Sequence, residues 1–234
     1  MDMAPCCSTA AGPAFEGGHI RWGMRAESGA IEKVNIDPAT LDVKIETIDN
    51  HRPVGICGSG VIAAVAELVR LGIILSRGNF NEDIQSDRLR GGEDGREFVL
   101  AWARDTAIGQ DIVLTQKDVS EIQMAKSAIY SGTLLLQEIS GVGRIQRILL
   151  AGACGNYIDS LDACAIDLFP GCASATVTGV GNAAGYGACL TLLNRNKRKE
   201  AEKVAKTTNY QELALQLQIG FRSFLYPICF SLPP

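Results

Sequence analysis

No two of the eight cysteines, at positions 6, 7, 57, 154, 164, 172, 189 and 229, stand at Cys-x-x-Cys spacing. That excludes a zinc ribbon or a local ferredoxin loop. An excess of charge is missing too: 22 Lys and Arg against 26 Asp and Glu leave a net charge of −4, which favours neither a nucleic-acid nor an anionic-membrane surface. The basic run Arg195 to Lys199 is the exception, and a solvated helix start accounts for it. Long apolar runs are absent. The most apolar segment, Val61 to Leu75, carries Glu67 and Arg70 and falls short of the roughly 20 residues a membrane span needs. The opening Met-Asp-Met-Ala-Pro-Cys-Cys has neither the basic nor the apolar part of a secretory leader. A cytoplasmic protein with no nucleic-acid and no membrane partner is expected. Its cysteines are expected to be reduced core thiols that form neither disulfides nor a complete metal site. Cys57 and Cys154, each among glycines, are the two where reactivity or ligation is worth testing.

What is present is a globular composition, 47% hydrophobic and 21% charged. Residues 30 to 48 read as a β-hairpin: Ile31, Val34 and Ile36 precede an Asp37-Pro38 turn, and Leu41, Val43 and Ile45 alternate with polar residues after it. Gly60 opens a helix with Val61, Ile62, Val65, Leu68 and Val69 at helical spacing, ending at Gly72. Residues 78–97, polar and glycine-rich, read as a surface excursion. Strands over 98–103 and 111–114 lead to a helix capped by Thr115 or Asp118 and running to about Ile139. On it Val119, Ile122, Ala125, Ile129, Thr133 and Leu136 form one stripe. Lys126 lies within about 60° of the centre of that stripe, so its stem packs near the core, and its ammonium either emerges into a cleft or snorkels at the core boundary, with Gln123 on the flank. A final pair of helices is expected over 198–221. Strand and helix alternate after Phe98, which implies an α/β layer.

The most informative stretch is Arg147 to Tyr157. Ile148 to Ala151 have the length and character of a buried strand, and Gly152 and Gly155 follow in a turn where backbone can approach a ligand without side-chain obstruction. Asn156 would start the next element. A second short strand leads to Gly181-Asn-Ala-Ala-Gly185, where Asn182 is a helix N-cap and small residues permit close packing.

In this order Ser8-Thr-Ala-Ala-Gly-Pro-Ala-Phe-Glu-Gly17, Gly55-Ile-Cys-Gly-Ser-Gly60, Leu114-Thr-Gln-Lys-Asp118, Ile122-Gln-Met-Ala-Lys126 and Gly181-Asn-Ala-Ala-Gly185 resemble the C-terminal domain of the reductive activators of corrinoid proteins. That family belongs to the acetate-kinase, sugar-kinase, heat-shock-chaperone and actin superfamily of ATPases. The resemblance spans nearly the whole chain. It implies a ribonuclease-H-like α/β ATPase lobe over 1–234, with a β-hairpin near its start and helices at its end. It also implies ATP and Mg²⁺ as cofactors, and a role in reducing a cob(II) corrinoid to cob(I) in a corrinoid protein or its methyltransferase. By carry-over, Gly17, Gly18, Gln123, Lys126, Gly152, Gly155, Asn156, Gly181 and Asn182 become nucleotide-site candidates. The family's upstream lobe, its Asp-Ile-Gly-Thr type of phosphate loop and its iron-sulphur domain find no counterpart here, so no cluster is expected in this chain and no catalytic residue is assigned. Exposed walls of an incomplete cleft make self-association an expected consequence. Cys154 stands where the resemblance implies phenylalanine, and Asp167 where it implies glycine.

Two other functions fit parts of the pattern. An iron-sulphur ATPase activator of the 2-hydroxyacyl-CoA dehydratase type would use Cys57 at a helix N-terminus as a cluster ligand. A non-catalytic docking lobe for a corrinoid protein would need no phosphate loops at all.

Overall fold

The computed structural model describes residues 4–152, 157–212 and 230. In chain order its strands are β1 (Ala4–Cys6), β2 (Ala30–Ile36), β3 (Val43–Thr47), β4 (Gly55–Ile56), β5 (Leu89–Gly92), β6 (Gly95–Ala101), β7 (Ile112–Thr115), β8 (Arg147–Ala151), β9 (Thr176–Gly181) and β10 (Thr208–Tyr210). The helices are α1 (Gly58–Arg70), α2 (Gln116–Ile139), α3 (Ser160–Ala165), α4 (Ala183–Leu193) and α5 (Arg195–Thr207). Contacts group these elements into two compact units. The larger comprises Ala11–Ser127, Ile158–Leu168 and Pro227–Pro234, and the smaller Met1–Ala10, Ala128–Tyr157 and Phe169–Tyr226.

The larger unit is built on the expected hairpin. The Asp37 carboxylate accepts hydrogen bonds from the amides of Ala39 (2.8 Å) and Thr40 (2.9 Å), closing the turn between β2 and β3. Those bonds hold its carboxyl below the usual range. Ile31, Val34 and Ile36 are all buried although their spacing is three and then two. A register shift between Ile31 and Lys33 resolves this, because a bulge adds one residue and returns Val34 to the inner face.

β4 pairs parallel with β2 and passes directly into α1, which packs on β2. The glycines of Gly55 to Gly60 have a steric cause. A Cβ at Gly58 would run into the Phe15 carbonyl, and one at Gly60 into the Ile31 carbonyl. Val61, Ile62, Val65, Leu68 and Val69 are buried as their spacing implies, and truncating one such side chain to Ala costs about 2–5 kcal/mol. At the far end of α1, Arg70 pairs with Glu67 (2.7 Å) and with Asp162 of α3 (2.8 Å).

Strands β5, β6 and β7 form an antiparallel sheet with Phe98 to Ala101 buried. Residues 78–97, expected as a surface excursion, therefore contain strand β5 and the start of β6. Their polar composition marks an exposed hairpin, whose turn uses Gly95 at φ 91°. The start of α2 is a reciprocal capping box. Asp118 N donates to Thr115 Oγ1 (3.1 Å), and Thr115 N donates to Asp118 Oδ2 (2.9 Å).

In the smaller unit β8 and β9 pair parallel, and so do β1 and β10. The expectation of a buried strand over Ile148 to Ala151 is not met. None of the five β8 residues is buried, and Leu149 is 59% exposed. Among the described residues β8 pairs only with β9, so the pair lacks the two covered faces that parallel sheets require. Helix α4 likewise buries no residue. The helix pair expected over 198–221 is corrected in its first half. One helix, α5, runs from Arg195 to Thr207, and Thr208 begins a strand rather than capping a second helix. Thr208 to Tyr210 pair with β1 instead, and residues 213–229 lie outside the described residues.

Candidate nucleotide site

Three of the candidate residues come together in the smaller unit. β8 ends at Ala151, and Gly152 turns the chain at φ 92°, a left-handed conformation that favours glycine. Its amide donates to the Gly181 carbonyl (2.9 Å) at the end of β9. Asn182 follows as the N-cap of α4, with Oδ1 accepting from Gly185 N (2.9 Å). Both turns thus lie at the C-terminal ends of adjacent parallel strands, where α/β proteins commonly bind ligands. Among the described residues, its chain neighbours aside, no atom lies within 4 Å of the position a Cβ at Gly152 would take. Gly155 and Asn156, and Cys154 with them, lie outside the described residues.

Gln123 and Lys126 share α2 in the larger unit, and both are buried. The Nε2 of Gln123 donates to the Arg77 carbonyl (3.2 Å). One face of the same helix, seven residues earlier, carries Gln116. Its Oε1 accepts from Phe80 N (3.1 Å) and its Nε2 donates to the Gly78 carbonyl (2.8 Å). The two glutamines together pin the backbone of Arg77 to Phe80 against α2. Lys126, expected either to reach a cleft or to snorkel at the core boundary, is only 1% exposed, with Nζ 5.6 Å from the centroid of the Phe230 ring. A cation over an aromatic face gains electrostatic attraction that offsets part of its desolvation. Helical spacing placed the lysine stem near the core; it could not foresee an aromatic residue 104 positions away beside its ammonium.

Gly17 and Gly18 sit together after the short turn Ala14–Glu16. Gly17 has φ 81°, and a Cβ there would lie 2.7 Å from Met24 N; at Gly18 it would lie 2.7 Å from the Pro13 ring. Close packing explains both. Sequence reasoning missed the link from this loop to α2, in which Arg21 N donates to Asp118 Oδ1 (2.9 Å). The side chain of Arg21 reaches the β5–β6 hairpin, 3.3 Å from Glu93 and 3.8 Å from Asp94. Asp118 therefore accepts from two backbone amides while almost wholly buried, and burial raises its pKa despite those bonds.

The cysteines divide. Cys57 is buried, with Sγ 3.2 Å from the Ile31 carbonyl and 3.3 Å from Ser59 Oγ. Burial pushes up the Cys7 thiol, with Cys6 adding to the effect. Contrary to the expectation of thiols throughout, Cys164 is disulfide-bonded and so, separately considered, is Cys172. The absence of Cys-x-x-Cys spacing bears on local chelates and says nothing about sulphurs that the fold brings within reach. Among the described residues no cluster of three or more His, Cys, Asp or Glu is placed to hold a metal ion, and no helix is long and apolar enough to cross a membrane. Asp167, where the resemblance implies glycine, has φ 55°, which explains why glycine suits that position.

A family model for the C-terminal domain of RACo, the ASKHA domain, matches residues 1–224. The chain belongs to this family. It is 40% identical over 216 residues to the corrinoid activation enzyme RamQ of Eubacterium limosum, covering 88% of this chain and 36% of that protein. It is 28% identical over 245 residues to the [Co(II) methylated amine-specific corrinoid protein] reductase of Methanosarcina barkeri, covering 95% of this chain and 41% of that one. A solved structure of a reductive activator for corrinoid, iron-sulfur protein superposes with a TM-score of 0.84 at 38% identity, over 96% of this chain and 36% of that one. The fold is therefore that of an α/β ASKHA domain, and the chain spans well under half the length of these relatives. Corrinoid reductive activation rather than dehydratase activation is what the relatives share, and the Cys57 thiol is already engaged with the Ile31 carbonyl.

Proposed function

We propose that this chain is the nucleotide-binding lobe of an ATP-dependent reductive activator, supporting the one-electron reduction of a cob(II) corrinoid to cob(I) in a methyl-transferring partner protein. The observation that carries the proposal is family membership over residues 1–224. The pair of turns at Gly152 and Gly181, at the same end of parallel strands and beside the N-terminus of α4, supports it. In this reading the backbone of Gly152 and Gly181, with Gly155, Asn156 and Asn182, borders the nucleotide. The amides at the start of an 11-residue helix suit a phosphate. Gln123 and Lys126 act from a buried position, by holding the Arg77 to Phe80 segment and the helix face. Gly17 and Gly18 shape the loop that Asp118 anchors.

Bound Mg²⁺ would neutralise phosphate charge. In this reading its ligands come from the upstream lobe that the family carries, and the electrons from the family's iron-sulphur domain. A cytoplasmic setting is part of the same proposal, because a low-potential corrinoid step requires reducing surroundings; there the disulfide bonds at Cys164 and Cys172 would be open to reduction. Isothermal titration with Mg-ATP tests the site: the 234-residue chain should bind weakly and hydrolyse negligibly, and adding the remainder of a full-length activator should tighten binding. Steady turnover by the chain alone, abolished by Gly152→Val, would show a complete site here and refute the shared-lobe reading.

A further inference from the structure

Helix α5 forms from a sequence whose charges oppose it. Arg195, Lys197, Arg198 and Lys199 all lie within its first five residues, and its first turn has no acid. Cations there oppose the positive end of the helix dipole. Arg195, Lys199 and Lys203 also repeat at every fourth residue, and Lys206 falls among them, within an arc of about 80° at 100° per residue. Like charges at that spacing repel. Glu202 borders the stripe, yet among the described residues the helix makes one ion pair, Lys197 to Glu200 (2.6 Å), on its other side. Every residue from Arg195 to Lys206 is exposed. Six cations and two carboxylates give the helix +4, so with −4 for the whole chain the remaining residues carry −8. A sequence that breaks two stabilising rules at one exposed surface, on an otherwise acidic chain, marks a functional surface.

We propose that the stripe Arg195, Lys199, Lys203 and Lys206 is a docking surface for an acidic face of the corrinoid protein partner, an assignment that rests on the function proposed above. The stripe is about 17 Å long, which suits a compact acidic patch. The −8 elsewhere repels an extended polyanion such as duplex nucleic acid. With Val204 as its single large apolar residue, α5 lacks the apolar face of a membrane-surface helix.

The test compares the 234-residue chain with its Lys199→Gln/Lys203→Gln/Lys206→Gln variant. Binding is measured to a corrinoid protein from the methyl-transfer system of either curated relative, to a 20-residue polyglutamate peptide, to 20-bp DNA and to phosphatidylserine vesicles, at low and moderate salt. The expected result is salt-sensitive binding to the corrinoid protein that weakens roughly tenfold in the variant. Thermal stability should at the same time hold or rise, because repulsion is relieved. A stable variant that binds the corrinoid protein as tightly as the parent, or tighter parental binding to DNA or vesicles, overturns the proposal. Polyglutamate binding lost in the variant, with no corrinoid protein bound by either chain, would keep the acidic docking surface and instead sink the functional reading.

Discussion

Replacing Asp118 by Ala removes the acceptor of two buried backbone amides, those of Thr115 and Arg21. Each stranded donor costs about 1–3 kcal/mol, and loss of the capping box costs about 1 kcal/mol more. Removing a desolvated carboxylate returns part of this, so a net loss of about 2–4 kcal/mol follows. In a chain of this length that lowers Tm by about 5–15 °C. Asp118→Asn keeps one acceptor and the shape of the side chain, and should lose about half as much. The pH dependence has a definite sign. Burial raises the Asp118 pKa, so above about pH 3.9 the folded chain keeps a proton that the unfolded chain has already released. Stability from this group therefore falls as pH rises through that window, and the penalty is complete above the folded pKa. Asparagine does not titrate, so the advantage of wild type over Asp118→Asn should widen as pH drops from neutral toward 4. Urea denaturation at several pH values measures it. A gap that narrows toward acid, or an Asp118→Ala variant as stable as wild type, would refute the reasoning.

Three further outcomes follow from local geometry. Gly60→Ala drives a methyl into the Ile31 carbonyl and should cost about 3 kcal/mol, whereas Gly152→Ala meets no such clash among the described residues and should cost only the left-handed strain, about 1–2 kcal/mol; chemical denaturation of both variants compares them. Gln116→Ala frees the amide of Phe80 and the carbonyl of Gly78, so exchange of the Phe80 amide should accelerate about fivefold, and unchanged protection would show that Gln116 does not hold the segment. Cys164 and Cys172 should resist alkylation until a reductant is added, while exposed Cys189 reacts at once; peptide mass mapping reads both.

Periodicity made the larger unit legible. Ile31, Val34 and Ile36, the α1 stripe and the Thr115–Asp118 cap are strong local signals, and all fall where the sequence places them. Gly152, Gly181 and Asn182 were legible as neighbours because a strand, a glycine turn and a small-residue helix in that order constrain the backbone directly. The placing of Phe230 beside the Lys126 ammonium was not legible, since it joins distant parts of the chain. Nor was the exposure of β8: Arg-Ile-Leu-Leu-Ala has the composition of a strand covered on both faces, and composition cannot report what covers it. Gln116 could have been found, because it stands on the same helical face as Gln123.

The central claim, that this chain serves as the nucleotide lobe of a corrinoid activator, is tested most directly by exchange. This chain replaces the segment it matches in the 40%-identical relative, and the chimaera is checked for folding and for its iron-sulphur chromophore. Formation of cob(I) in the relative's own corrinoid protein is then followed by absorbance, with a low-potential electron donor, with and without Mg-ATP. The account predicts cob(I) formation that depends on Mg-ATP and is lost with Gly152→Val. A folded, cluster-bearing chimaera that forms no cob(I), or forms it equally without ATP, would contradict it.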